Sequence, residues 1–592
     1  MQRVSGRGVL LLSIVVMAQL ATALLARSDA RLWQVFPLWL LSLSAALLVA
    51  HGQLPRPAPP RLNPRNPEIW TVLGLTILAA LLRLPRLETL PAGIYGDEGE
   101  FGTLALSISR GAGPNPFGVA FLGDPALYVH IIAPFVGWLG PTMEAIRLPS
   151  ALIGVATIPL FYGLVRNLYG RFPASIAAFL LATSAVHIHF SRLALNVIWV
   201  PFFTCLSLWL LKRALAERRD SWFLLTGIAG GIGFYFHFGA RLILPMLCAA
   251  LAAQCLVARH DWRVWTRALG LITVGALLAL SPLLANLSNN PELLTAHTNK
   301  RGIWNHWDDL AARYGTDPAD KVGILWEQVR HTFFAFVTEP DSFYGAFMYR
   351  FMERPLLPAA VAALASLGLV VLLLQMRSEA ARLALLWFAV PCLFASILTD
   401  VAGQAHRLLN PTLALLLAAA LAIEVARHYL QARVPAPATG VLLALLLAIP
   451  LVSGLRDSYA YMRPGATDSF AVSATAQARC LEALPPESIA VVDGAPRIYA
   501  RHGPSRYLAN TVVRRDLKEP FSDLPADPNR MLILVHEWNH ADVERLLRLY
   551  PDAPWTEIQR PAGRRALTVI AVFADAGEAA ERLAACKAKA EI

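Results

Sequence analysis

Charged side chains are scarce in this chain. Asp, Glu, Lys and Arg make up 16% of its 592 residues, where soluble domains carry about a quarter. That shortage excludes an ordinary soluble enzyme. Cysteine is sparse too, six in all, and no Cys/His pair has zinc-site spacing, which excludes a zinc framework. Cys205, Cys248, Cys255 and Cys392 lie inside apolar runs and read as small packing residues. A basic patch is also missing. The net charge is +11, yet the arginines fall at the ends of apolar runs rather than along one face. Membrane proteins distribute arginine in this way, and no nucleic-acid partner is expected.

What is abundant is apolar sequence, 56% of the residues. Runs of about 17–25 residues, each long enough to cross a bilayer core, recur over the first 453 positions. They lie at 8–26, 33–50, 69–85, 144–165, 172–190, 194–215, 222–238, 241–258, 265–287, 356–375, 382–399, 405–427 and 437–453. The first run follows Arg3 and Arg7; a cleaved signal peptide is the alternative, but its length favours an anchor. The stretch 125–139 is apolar yet short, and reads as a helix at the outer interface. The fold class expected is therefore a mainly α, polytopic membrane protein of about thirteen spans. Short segments assigned to the cytoplasm hold most of the Arg and Lys, for example Arg56, Arg61 and Arg65, which sets the N-terminus inside.

Three regions follow. Residues 1–68 supply two extra spans and a basic, proline-rich linker. Residues 69–453 form the main membrane domain, with outer loops 86–143 and 288–355. Residues 454–592 change character: short aliphatic runs at 488–493, 531–536 and 567–573 alternate with helical stretches at 541–550 and 577–589. That alternation predicts a small extracytoplasmic α/β domain. Its two cysteines, Cys480 and Cys586, are read either as a disulfide or as two free thiols.

The chain is organised around residues 92–102, where Asp97, Glu98 and Glu100 stand among Gly96, Gly99 and Gly102. Acids at the mouth of a membrane helix lose solvation and are rarely placed there without a use. The glycines permit a tight turn and the close approach of another molecule. On this topology Asp124, Arg147, His187, His189, Arg192, His237, Arg241, His406 and Arg407 gather at the outer ends of spans. Outer arginines run against the positive-inside bias; snorkelling to the interface is their ordinary explanation. Together with carboxylates they suit a substrate carrying both a reacting hydroxyl and a phosphate, because guanidinium forks grip phosphate oxygens.

Four stretches resemble the GT-C superfamily of membrane glycosyltransferases, in particular bacterial relatives of the dolichyl-phosphate-mannose protein mannosyltransferases and of the lipid A aminoarabinose transferase. Tyr95-Gly-Asp-Glu-Gly-Glu-Phe resembles the acidic pair of the first outer loop. Gly123-Asp-Pro-Ala-Leu-Tyr resembles the segment that opens the interfacial helix, and so brings Tyr128 into the candidate set. Ala145-Ile-Arg-Leu-Pro-Ser-Ala-Leu-Ile-Gly resembles the start of the next span, and Arg407-Leu-Leu-Asn-Pro resembles an Arg-Tyr-x-x-Pro stretch at a later outer helix end. The likeness covers roughly 69–430.

The resemblance implies an inverting sugar transfer from a polyprenyl-phosphate donor to a hydroxyl on a lipid, glycan or protein acceptor, at the outer face of a bacterial inner membrane. Asp97 is the implied general base, and Glu98, the second implied catalytic residue, would orient the acceptor or help hold a cation. Glu100, Asp124, Tyr128, Arg147, Arg192, Arg241, His406 and Arg407 are the implied substrate-binding residues, with Arg407 the first candidate for the phosphate clamp. Asp124 stands where relatives often have Lys or His. Asn196 falls near a second aspartate of some relatives. A divalent ion held by Asp97 with Asp124 or Asp341 is an option left open. The competing class is a transporter or flippase of lipid-linked sugars, which would place its charges near the bilayer midplane in repeated halves.

Overall fold

The computed structural model describes residues 6–28, 31–51, 65–257, 262–338, 354–463, 470–485, 488–509, 512–518, 521, 524, 530–561 and 563–590. The chain begins with α1 (Gly6–Ala26), α2 (Leu32–His51) and α3 (Pro67–Arg83), then α4 (Gly96–Ser109) and α5 (Leu127–Leu139). Next come α6 (Met143–Tyr169), α7 (Arg171–Ala182), α8 (Ala185–Ser191), α9 (Trp199–Glu217), α10 (Asp220–Gly233), α11 (Ile243–Val257) and α12 (Trp262–Leu287). The second outer loop folds as α13 (Leu293–Arg301), α14 (Trp307–Tyr314) and α15 (Lys321–Val337). The membrane part closes with α16 (Ala359–Leu374), α17 (Glu379–Pro391), α18 (Ala405–Arg433) and α19 (Ala436–Tyr461).

A helix stands at each of the thirteen expected stretches, but length and composition support fewer crossings. Among the described residues nine helices are long and apolar enough, or ten if the pair α7 and α8, bent by 58°, is one span. Helices α3, α10 and α16, of 17, 14 and 16 residues, fall short, so the figure of thirteen is not established. The innermost helix is α18, with 83% of its apolar window buried, against 22% for α1 and 17% for α19. With lipid on the outside, helices associate through close packing of small residues rather than through expulsion of water. Helices α10 and α12 show this plainly. A Cβ on Gly227 would lie 2.0 Å from the Ile272 carbonyl oxygen, and one on Gly275 would lie 2.2 Å from that of Leu224.

The tail carries α20 (Phe470–Glu482), β1 (Ile489–Asp493), α21 (Gly503–Leu508), β2 (Val513–Asp516), β3 (Arg530–His536), α22 (Ala541–Leu549), β4 (Trp555–Gln559), β5 (Arg565–Phe573) and α23 (Ala576–Ala590). The sheet order is β2-β1-β3-β5-β4. Strands β2, β1 and β3 run parallel, and β5 pairs antiparallel with both β3 and β4. Alternate residues serve opposite faces, as strand geometry requires: Ala490, Val492, Leu532 and Leu534 pack with α20 and α23, while Val491, Met531, Ile533 and Val535 pack with α22. Cys480 on α20 is bonded to Cys586 on α23, which fastens two helices of the same layer. Strands β2 and β4 and helices α20 and α21 escaped the sequence reading, since none has a long apolar run. Helix α19 also continues to Tyr461, past the expected boundary at 453.

Candidate active site

The loop before α4, residues 84–95, and the end of α3 carry a row of backbone carbonyls that need donors. Buried arginines supply them. Arg192 donates to the carbonyls of Leu90 (3.0 Å), Arg83 (2.9 Å), Leu82 (3.2 Å) and Pro85. Arg147 donates to those of Leu87 and Pro91, both at 3.0 Å, and to that of Gly93. Arg83 reaches the other way, to the carbonyls of Ala182 and Leu181 at the bend between α7 and α8.

Glu98 completes the brace. Its side chain is fully buried, paired with Arg147 Nε at 3.0 Å, and it accepts from the backbone N–H of Ala194 (2.7 Å) and of Tyr95 (3.0 Å). Every lone-pair direction of this carboxylate is thus committed. Glu98, expected from the sequence to be catalytic, is held by these donors and does not line the cavity described below. The same holds for Arg147 and Arg192, whose donors face carbonyls rather than a ligand. Tyr128 is buried with its hydroxyl against Ser150 Oγ (3.2 Å) and its ring edge-on to Phe101. Glu100 pairs with Arg506 of the tail at 2.6 Å. None of these five lines the cavity described next.

That cavity, about 720 Å³, is lined by Asp97, Asp124, Arg241, His406 and Arg407, among others. Asp97 sits in the first turn of α4, where the positive end of the helix dipole favours its carboxylate form. Asp124 follows a short 3-10 turn, Phe121–Gly123, and accepts a hydrogen bond from Asn196 Nδ2 at 3.0 Å. Among the described residues its other oxygen, Oδ1, is buried without a hydrogen-bond partner, as is Gln404 Oε1 elsewhere on the wall. Burial raises the Asp124 carboxyl to about 7; the Asn196 bond opposes the rise, nearby Asp97 adds to it, and Arg241 opposes it. Asp97, Asp124 and Arg241 are therefore electrostatically linked.

The opposite charge is gathered from other elements. Arg407 at the start of α18 donates to Asp400 Oδ1 (3.0 Å), Thr399 Oγ1 (2.6 Å) and the Val401 carbonyl (3.0 Å). Arg301, from the end of α13, takes the other oxygen of Asp400 at 2.8 Å. Burial would raise Asp400, but Arg407 and Arg301 outweigh it and hold the carboxyl below its ordinary value. One acid thus orients two guanidiniums at the cavity wall. Lys300 also lines it, and Arg241 lies over the rings of Phe238 and Phe234, 4.6 and 5.1 Å from their centroids. The cationic field is felt by a histidine on the wall: burial, then Arg407, Arg301 and Arg241 push His297 down to about 4. Between α17 and α18 the chain makes a π-helical turn, Cys392–Ile397, which presents Phe394 and Ala395 to the cavity. Such turns recur at functional sites.

Sequence reasoning missed Lys300, Arg301, His297 and Asp400. Lys300 and Arg301 are a basic pair in an outer segment, so the bias that singled out Arg241 would have found them; Asp400 gave no signal beyond lying seven positions before Arg407. His187 and His189 are buried in α8, away from the cavity wall. Asp341 lies outside the described residues. Among the described residues no three His, Cys, Asp or Glu side chains stand together as a metal-ligand set.

With the geometry in place, comparison with known proteins gives three findings. Residues 124–288 match the family of dolichyl-phosphate-mannose-protein mannosyltransferases. A mannosyltransferase-like protein of Bacillus subtilis (strain 168), YkcB, is 30% identical over 118 residues, which is 19% of this chain and only 16% of that protein. Among solved structures, ArnT from Cupriavidus metallidurans bound to undecaprenyl phosphate shares the fold with a TM-score of 0.54 and 14% identity, over 86% of this chain and 98% of ArnT. The oligosaccharyltransferase AglB from Archaeoglobus fulgidus, in complex with an inhibitory peptide and a dolichol-phosphate, gives 0.51 and 13%, over 77% of this chain and 65% of AglB. At these identities the structural likeness is one of fold. The chain shares its fold with these two membrane proteins, and its residues 124–288 resemble a mannosyltransferase family.

Proposed function

We propose that the protein transfers a sugar from a polyprenyl-phosphate donor to a hydroxyl acceptor at the outer face of a bacterial inner membrane, with inversion at the anomeric carbon. The observation that carries this is a single cavity lined by two carboxylates and four cationic heads, Arg241, Lys300, Arg301 and Arg407. Phosphate is the leaving group, so it departs with the bonding electrons and needs positive charge rather than a proton. Arg407 and Arg301, preset by Asp400, meet that need without reorganising at the moment of reaction. Asp97 takes the proton of the acceptor hydroxyl as its oxygen attacks the anomeric carbon. Asp124, close to ionisation at neutral pH, holds a sugar or acceptor hydroxyl alongside it. Every step runs through the chain's own residues.

The lipid phosphates bound by ArnT and AglB support the donor class, and the disulfide of the tail supports an oxidising, outer location for that domain. The test is Asp97→Asn in membranes supplied with a labelled polyprenyl-phosphate sugar. Transfer should fall by about 10²–10⁴ with protein level and donor binding unchanged. Transfer at the wild-type rate would refute the assignment.

A further inference from the structure

The glycines flanking the acidic residues invite the close approach of another molecule, and the structure puts the tail domain there. Gly96, Gly99 and Gly102 are spaced by three along α4 and so share a face. Each meets a different part of α21 or its cap. A Cβ on Gly99 would lie 2.2 Å from the backbone carbon of Gly503, and one on Gly503 would lie 2.3 Å from the carbonyl oxygen of Gly96. A Cβ on Gly96 would sit 3.2 Å from His502 Nε2, and one on Gly102 would press on the Tyr507 ring at 2.8 Å. The two helices cross backbone against backbone at Gly96 and Gly99, one residue before and two residues after Asp97.

Polar contacts fix the crossing. Arg506 Nη1 pairs with Glu100 Oε2 at 2.6 Å, the Tyr507 hydroxyl donates to the Thr142 carbonyl at 2.9 Å, and the Ile94 N–H donates to Thr475 Oγ1 at 2.7 Å. Arg479 and Glu88 form a further ion pair between tail and loop. Behind α21, fully buried Gln477 donates to Ser505 Oγ (2.8 Å) and to the Tyr499 carbonyl (3.2 Å), and its Oε1 lies 2.7 Å from His536 Nε2. Helix α21 is therefore anchored to the end of β3 through buried side-chain hydrogen bonds.

We propose that the C-terminal α/β domain positions Asp97: α21, held by Gln477 and His536, sets the place of the first turn of α4 through the Gly503–Gly99 crossing and the Arg506–Glu100 pair. This rests on Asp97 being the base. A displacement of about 1 Å at a catalytic group costs on the order of a hundredfold in rate, and a methyl group at the crossing forces a shift of that order. The phosphate end of the cavity, built from α13 and α18, is not touched by these contacts.

The experiment uses the full-length protein in proteoliposomes with a labelled polyprenyl-phosphate sugar. Gly503→Ala should lower kcat by about a hundredfold. Arg506→Glu and Glu100→Arg should each lower it by about tenfold, again from displacement of the base. The donor KM should stay within about twofold throughout, and the Glu100→Arg/Arg506→Glu double exchange should recover most of the lost kcat. Arg506 is half-exposed, so its variant tests the idea even where Gly503→Ala does not fold. Wild-type kcat in both Gly503→Ala and Arg506→Glu would overturn the proposal, as would equal losses in kcat and donor affinity. Asp97→Asn run alongside separates the two claims. If it transfers normally, the base assignment fails; if it is inert while the α21 variants are normal, positioning by the tail fails.

Discussion

Asp124→Asn should make the protein more stable, and more so at high pH. Asp124 sits in a partly covered niche with one oxygen unpaired, and its carboxyl is raised to about 7 by burial, with Asp97 adding to the rise. A carboxyl raised in the folded state binds its proton more tightly there than in the unfolded chain. Stability is therefore intact below about pH 4, falls as pH rises, and is fully reduced above pH 7. At about 1.4 kcal/mol per pH unit the gap from an ordinary carboxyl corresponds to roughly 4 kcal/mol. Asp124 lines the cavity, and water entering it would screen the charge and bring this nearer to about 2 kcal/mol. Asparagine keeps the shape and the bond to Asn196 but carries no charge. Thermal unfolding of purified Asp124→Asn should show a gain of about 2 kcal/mol over wild type at pH 8.5 and under about 1 kcal/mol at pH 5. A gain equal at both pH values, or a loss at pH 8.5, would refute this account of Asp124 as a destabilised, function-bearing charge.

Other outcomes follow from the same geometry. Arg407→Gln removes a preset donor at the phosphate end, and kcat/KM for the donor should fall by about 10²–10³; steady-state kinetics at fixed acceptor measure it, and an unchanged value contradicts the clamp. Arg147→Met leaves Glu98 as a buried, uncompensated charge, so stability should drop by about 3–5 kcal/mol, seen as loss of folded protein in detergent. His297→Gln should leave the pH–rate profile unaltered above pH 5, because the ring at about 4 is already neutral there. Cys480→Ser opens a link across 106 residues and should destabilise the tail by about 4–5 kcal/mol on the loop-entropy account, read by its melting transition.

The membrane architecture was legible because apolar runs are long and their arginine flanks asymmetric. Every expected stretch became a helix, though α3, α10 and α16 are too short to prove crossings by length. The strands β1, β3 and β5 were legible for a related reason: they are buried on both faces and read as unbroken aliphatic runs. Strands β2 and β4, at the two edges of the sheet, carry charges such as Arg514 and Glu557 and gave no such run. At the site, sequence brought the right types together but could not say which way each side chain turned. Glu98 and Asp97 are neighbours, yet the roughly 100° between successive helical positions sends the first into the Arg147 brace and the second to the cavity. Arg147 and Arg192 looked like ligand arginines because backbone carbonyls, which they satisfy, are invisible in a sequence. Glycines 96, 99 and 102 were read as room for another molecule; the structure packs them against the chain's own residues 502–507, a neighbour beyond any local pattern.

The central claim is that carboxylate base and phosphate clamp face one cavity. A structure of the protein with bound undecaprenyl phosphate tests it most directly. The account predicts the phosphate within hydrogen-bonding distance of Arg407 and at least one of Arg241, Arg301 and Lys300, with the Asp97 carboxylate across the space a sugar would fill. A phosphate bound against Asp97, or outside this cavity altogether, would contradict it.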